Sequence, residues 1–285
     1  MSVPFKVDLS ADVAVVTGGS GVLCSRMAEA LAECGAKVAV CGRRQDAADK
    51  VAASICAKGG KAIGVSCDVL EKPSLEQAQV IIRKELGPVT LLVNGAGGNH
   101  PKGTTGREYL LPEDIDRSAA GLTTFYDLDA KGIEHVFNLN FLGTLLPTQV
   151  FTKDMARVGR GTVINISSMS AFTPLTKIPA YSGAKAAVNN FTQWLAVHLS
   201  KVGVRVNAIA PGFFLTDQNR ALLTQADGAL TPRGNTILTH TPMGKFGSAD
   251  DLVGALLWLS YQPASAFVTG TVIPVDGGFS AFSGV

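Results

Sequence analysis

The sequence predicts an α/β fold built on one doubly wound parallel sheet with helices on both faces. Three observations predict it. Seven short apolar runs, at 13–16, 37–41, 62–66, 90–93, 162–166, 205–209 and 271–275, lack the polar alternation of a one-sided sheet, as strands buried on both faces do. Helical patterns separate most of them, at 26–34, 46–57, 74–85, 132–155, 180–201 and 249–259. Strand–helix–strand connections of this kind are right-handed and place ligands beyond the carboxyl ends of the strands.

Composition narrows the function. The 285 residues are 46% hydrophobic and 17% charged, and no Pro/Ser-rich linker or charge block divides them, so one domain over 1–285 is expected. A net charge of +2, without a basic stripe, argues against nucleic acid and a membrane surface as partners. No 18-residue apolar run is present, and Met1 to Asp12 does not read as a signal peptide. Cys24, Cys34, Cys41, Cys56 and Cys67 are scattered, with no Cys-x-x-Cys pair and no zinc spacing. Reduced, mostly buried thiols in a cytoplasmic protein without a metal site are the expectation.

The first strand runs into Thr17-Gly18-Gly19-Ser20-Gly21, which opens a helix. Glycines permit a tight turn, and the helix N-terminus offers N–H groups and a positive dipole end to a pyrophosphate. The second strand ends in Cys41-Gly42-Arg43-Arg44. A carboxylate there would bind the ribose hydroxyls of NAD, whereas an arginine accepts a 2′-phosphate, so Arg43 favours NADP(H) without excluding NAD(H). The alternative is a solvated arginine at a helix start. Asp68-Val69 after the third strand and Asn94-Gly95-Ala96-Gly97 after the fourth fall where adenine and the nicotinamide ribose would lie. Two stretches, about 97–130 and 213–248, break the rhythm as long loops, which are substrate covers or surface excursions.

The fifth strand ends in the hydroxyls Ser167-Ser168, and the next helix carries Tyr181-Ser182-Gly183-Ala184-Lys185. Its apolar positions are Ala187, Val188, Phe191, Trp194, Leu195 and Val197. Tyr181 and Lys185 share a helix face one turn apart. An ammonium beside the phenol lowers its pKa, and Ser168 can bind the oxygen that gains or loses the same proton. That is equipment for carbonyl–alcohol interconversion, although the same spacing also occurs as an ordinary surface pair.

With these residues the chain resembles the short-chain dehydrogenase/reductases, a Rossmann-type family, along nearly its whole length. The resemblance rests on the turn at Thr17, Asp68, Asn94-Gly95-Ala96-Gly97, Asn140-Phe141-Leu142-Gly143, Ser168, Tyr181, Lys185, Pro211-Gly212 with Thr216, and Asp276-Gly277-Gly278. It implies a catalytic tetrad: Tyr181 as acid/base, Ser168 holding the substrate oxygen, Lys185 binding the nicotinamide ribose and lowering the tyrosine pKa, and Asn140 positioning a relay water. It implies an NAD(P)(H) site formed by Gly18, Ser20, Gly21, Leu23, Arg43, Asp68, Val69, Asn94, Ala96, Tyr181, Lys185, Pro211, Gly212, Phe214 and Thr216. One departure stands out. The family pattern expects glycines where this chain has Val22 and Cys24, with Gly21 one place early, so the pyrophosphate contacts must differ in detail.

Within the family, Asn99-His100-Pro101-Lys102, the stretch from Asn140 to Gln149, Pro174 to Tyr181 and Pro211 to Thr216 resemble the short-chain type of D-mannonate oxidoreductase (fructuronate reductase), with gluconate 5-dehydrogenases as near relatives. The resemblance implies hexuronate metabolism and a homo-oligomer, tetramer or dimer, in which the apolar run Ala281 to Val285 could pack. His100, Lys102 and Lys177 are basic groups near the expected nicotinamide and are candidates to bind the carboxylate of a sugar-acid substrate alongside Ser168. Each is also readable as a surface charge. A gluconate-type or other polyol dehydrogenase, and a catalytically silent dinucleotide sensor, are the alternatives; the four tetrad residues speak against the last.

Overall fold

The computed structural model describes residues 6–115, 121–216, 220–225 and 227–284. The expectations at residues 1–5, at 116–120 and 217–219 within the two long loops, at residue 226, and at Val285 fall outside them. The seven strands form one parallel sheet: β1 (Val13–Thr17), β2 (Lys37–Gly42), β3 (Lys61–Ser66), β4 (Leu91–Asn94), β5 (Gly161–Ile166), β6 (Val204–Pro211) and β7 (Val272–Val275). Their order is β3-β2-β1-β4-β5-β6-β7. The chain winds outward from β1 to β3, then crosses to β4, so the strand order switches between β1 and β4, where a ligand crevice opens.

Each central strand feeds two cores. Ala14 and Val16 of β1 face one side, against α1 (Val22–Glu33), α2 (Gln45–Ala57) and α9 (Val253–Ser260) through Met27, Leu31, Ile55, Leu256 and Leu259. Val13 and Val15 face the other, against α3 (Lys72–Glu85), α5 (Gly143–Val158) and α6 (Pro179–His198) through Leu75, Ile82, Phe151, Met155 and Leu195. Burial on both faces is why these strands read as unbroken apolar runs.

Some predicted elements differ. The stretch 132–155 is not one helix. It divides into α4 (Ala130–Phe137), a π-helical turn (Asn138–Leu142) and α5. Pro147 has no N–H for the Gly143 carbonyl, and its ring crowds that carbonyl. The Asn140 amide donates to the Val136 carbonyl at 2.8 Å and so takes over a backbone partner. Thr144, Thr148 and Thr152 then donate to the carbonyls four residues earlier, a pattern that bends helices. The first helix starts at Val22 rather than 26, because Gly21 already serves as its N-cap. The loop 213–248 holds two short helices, α7 (Arg220–Leu223) and α8 (Pro232–Thr239); Thr231 caps the second by accepting from the Gly234 N–H at 3.0 Å. Before α9 the chain forms a 3₁₀ turn, Ala249–Leu252, and α10 (Gln262–Ser265) follows it. Of the apolar residues assigned to α6, Val188 and Leu195 are buried, but Trp194 and Val197 are 57% and 76% exposed. Among the described residues no helix is long and apolar enough to cross a membrane.

Candidate active site

The crevice at the switch point is built from two touching turns. Gly18 adopts a left-handed φ of 62°, and a Cβ there would lie 3.0 Å from the Ala96 backbone. Thr17, at the end of β1, accepts from the Gly95 and Ala96 N–H groups at 3.1 and 3.3 Å. Cys24 explains how the chain manages without the expected glycine. Its thiol is buried and donates to the Gly95 carbonyl at 3.7 Å, and a Cβ on Gly95 would sit 2.2 Å from its sulfur. The volume added at 24 is accommodated at 95.

The start of α1 has no side-chain cap and no acidic residue in its first turn, so its N–H groups and positive dipole end suit an anion. Half-buried Ser20 lies near Gly42, 3.5 Å from where a Cβ would stand, and half-buried Leu23 is the second residue of α1. Arg43 is exposed at the end of β2; its carbonyl accepts from the Ser66 hydroxyl at 3.2 Å. Asp68 turns its carboxylate onto the Leu70 N–H at 2.9 Å, and buried Val69 packs on Gly143 at the start of α5. After β6, Pro211 is buried, Gly212 has Asp276 where a Cβ would go, Phe214 packs on Gly247, and Thr216 is half-buried. A cavity of about 380 Å³ opens beside this segment, lined by Phe213, Met243, Lys245 and Gly277 among others. The sequence marks Thr17 only as the start of the turn and Cys24 only as a departure from the pattern, and it gives no sign of Met243, because a packing partner carries no motif of its own.

Asn140, Ser168, Tyr181 and Lys185 come together at this crevice. Ser168 accepts from the Ser170 N–H at 3.2 Å and the Ser170 hydroxyl at 3.0 Å, and it hydrogen-bonds Tyr181. The Lys185 ammonium stands 5.6 Å from the centre of the Tyr181 ring and donates to the Ile166 carbonyl at 2.8 Å. Asn140 donates to the Gly98 carbonyl at 2.7 Å and accepts from the Gly98 N–H at 3.2 Å, clamping that peptide. A methyl on Gly97 would meet both Asn140 Oδ1 and Lys185 Nζ, at 2.7 and 3.2 Å. Both Asn140 amide hydrogens are therefore engaged, and Oδ1, which accepts one bond among the described residues, lies beside Gly97.

The electrostatics correct one expectation. Burial pushes the Lys185 ammonium down to about 8, opposed by the Cys24 thiol. Burial also raises the Tyr181 phenol, opposed by its hydrogen bond to Ser168. The net direction for the phenol is upward, where a lowering was expected, with burial as the largest cause. The ammonium is itself stripped of water, and desolvation is the largest influence on both groups.

The three cationic candidates part company. Lys102 is tied to Asp129, the N-cap of α4, at 3.2 Å. His100 accepts from the Lys102 N–H through Nδ1, and its ring lies 5.2 Å from that of His135. Both are engaged within the loop and with α4 or its N-cap. Lys177 is half-buried and carries no ion pair among the described residues. It is also the one non-glycine with positive φ, at 70°, among those residues, and its carbonyl accepts from the Thr105 N–H at 2.8 Å.

The geometry has counterparts. Residues 12–227 match the short chain dehydrogenase family model. An uncharacterized oxidoreductase of Haemophilus influenzae is 53% identical over 285 residues, 100% of this chain and 99% of the relative. The uncharacterized oxidoreductase UxuB of Bacillus subtilis is 50% identical over 99% of this chain and 100% of its own length. Gluconate 5-dehydrogenase of Gluconobacter oxydans is 30% identical over 98% and 99%. A solved structure of a proposed D-mannonate oxidoreductase from Haemophilus influenzae with bound NAD superposes with a TM-score of 0.92 at 53% identity, over 100% of both chains. The chain belongs to the short-chain dehydrogenase family, oxidoreductases that act on CH–OH groups.

Proposed function

We propose that this protein interconverts the keto group of D-fructuronate and the hydroxyl of D-mannonate, with NAD(P)(H) as redox partner. The observation that carries the substrate is the full-length likeness, at 53% identity, to the proposed D-mannonate oxidoreductase solved with NAD. The observation that supports the chemistry is the meeting of Ser168, Tyr181 and Lys185 beside the glycine cradle. The cradle fits a dinucleotide: Gly18 and Ala96 leave no room for a side chain between them, and the α1 N-terminus is free of acid. The dinucleotide supplies or accepts the hydride. Tyr181 moves the proton at the substrate oxygen, and Ser168 donates to that oxygen. Lys185 holds the nicotinamide ribose, and Asn140 fixes the Gly97–Gly98 backbone, with its Oδ1 serving a water relay. Lys177 is the partner for the substrate carboxylate, and Arg43 favours NADP(H).

A steady-state screen of fructuronate, 5-ketogluconate and matching neutral sugars with NADH and NADPH tests the reading. Fructuronate should give the highest kcat/KM. Preference for 5-ketogluconate would favour the second reading, a gluconate 5-dehydrogenase, which the Gluconobacter relative supports. Tyr181→Phe should lower turnover roughly 10²–10⁴-fold with dinucleotide affinity retained. Arg43→Ala should erode an NADPH preference; a wild type that prefers NADH and is unmoved by the change would remove the 2′-phosphate role.

A further inference from the structure

A chain of buried side chains runs over β4 and β5 on one face of the sheet, beneath the site, and links α5 to α6. Asn94, at the end of β4, donates from Nδ2 to Thr148 on α5 and to Asn165 Oδ1 on β5, both at 2.9 Å. Asn165 donates in turn to Thr192 on α6, at 2.9 Å. Each threonine passes its own proton to a carbonyl of its helix: Thr148 to Thr144 at 2.7 Å, and Thr192 to Val188 at 2.8 Å. All four side chains are 2% exposed or less. Thr148 lies about two turns beyond Asn140, and Thr192 about two turns beyond Lys185. Thr144 continues the ladder to the Asn140 carbonyl at 2.8 Å.

The belt is an expensive way to fill a core. Asn94 Oδ1 is buried with no partner among the described residues. A leucine-sized apolar side chain would avoid that cost, because two amide donors and an unmet acceptor are harder to bury than hydrocarbon. A belt of directional bonds does what hydrocarbon does not: it fixes the sliding and spacing of one helix against another. Here Asn140 lies in the π-helical turn that runs directly into α5, and Tyr181 and Lys185 lie on α6.

We propose that Thr148, Asn94, Asn165 and Thr192 form a positioning belt that sets the register of α5 against α6, and through it the placement of Asn140 relative to Tyr181 and Lys185. None of the four needs to touch substrate for this. The kinetic part rests on the reductase reading above; the structural part does not.

The test uses Thr148→Val and Thr192→Val, which keep shape and remove one hydroxyl each, their double variant, and the Thr→Ser changes. Each single valine should lower kcat by about ten- to a hundred-fold, the cost of small misplacement, with the KM for dinucleotide moved less than about two-fold. The double variant should lose much less than the product of the singles, because either change cuts the same belt. Serine at either position should restore kcat. Crystal structures of the valine variants should show α6 displaced against α5. If the valine variants melt earlier but keep kcat within about two-fold, with the helices unmoved, the threonines are core packing and the belt is overturned. If wild type reduces no keto acid, the reductase reading fails by itself, and the crystal structures still decide the belt.

Discussion

Lys185 concentrates the conflict between stability and chemistry in one side chain. Its folded pKa of about 8 lies below the ordinary 10.5, with burial as the cause. Between those values the unfolded chain holds a proton that the folded chain lacks, so stability rises with pH across that window and carries the full penalty below about 8. Lys185→Met should therefore stabilise the fold at pH 7 by an amount on the order of 1–3 kcal/mol, net of the lost bond to Ile166, while abolishing turnover. Thermal melts at pH 7 and pH 10 check it: the gain should shrink at the higher pH, and a lower Tm at pH 7 would show the ammonium to be stabilising. In the wild type, kcat/KM for reduction should fall as pH rises past about 8, where the free enzyme loses the Lys185 charge, while Tyr181 stays protonated. A second test concerns Cys24 and Gly95. Gly95→Ala forces a methyl to 2.2 Å from the Cys24 sulfur and 2.8 Å from the Thr17 carbonyl. It should cost about 1–3 kcal/mol, and adding Cys24→Gly should recover only part, since the carbonyl remains.

At the scale of elements, the loop that delivers Tyr181 is held in a conformation its sequence does not favour. Lys177 sits at a φ of 70°, where a Cβ costs about 1–2 kcal/mol, and the Thr105 N–H from the long loop pins its carbonyl. Glycine relieves the backbone and removes the charge, whereas methionine removes the charge and keeps the strain. Lys177→Gly and Lys177→Met should both lose roughly ten- to a hundred-fold in kcat/KM toward a sugar acid, as one charge-assisted contact requires, with dinucleotide KM unchanged. Only the methionine variant should keep wild-type behaviour toward a neutral sugar. Full efficiency in both would place the carboxylate elsewhere. The strands were legible in the sequence because each is buried on both faces and so reads as an unbroken apolar run. Tyr181 and Lys185 were legible because helical periodicity fixes their shared face. The break at Asn138–Leu142 was not, because it arises when one side chain, Asn140, takes a backbone carbonyl, and hydropathy carries no trace of that exchange. The pairing of Lys102 with Asp129 was equally hidden, since it depends on how a long loop folds back onto α4.

At the scale of the molecule, the exposed apolar surface supports the proposal of a homo-oligomer, with a second copy of the chain on one face. Phe141, in the π-helical turn before α5, meets Phe191 of α6 edge-on at 5.7 Å, and Phe191, Trp194 and His198 then stack in succession at 6.2 and 4.8 Å. Trp194 and Val197 are 57% and 76% exposed beside them. A two-fold axis through such a strip would bring the same residues from both copies together and bury their apolar surface. The free edge of β7 suits association less well: Pro274 lacks an N–H and breaks the row of donors that edge-to-edge pairing needs. Trp194→Glu combined with Val197→Lys should leave the circular dichroism spectrum unchanged. It should shift the sedimenting species to a smaller size at micromolar concentration. The site lies at the ends of α5 and α6, so the smaller species should also lose turnover if packing across the axis steadies those helices. A double variant that sediments as wild type would clear the strip. The C-terminal run, where Phe282 is 42% exposed and packs near His240, would then be the face to truncate.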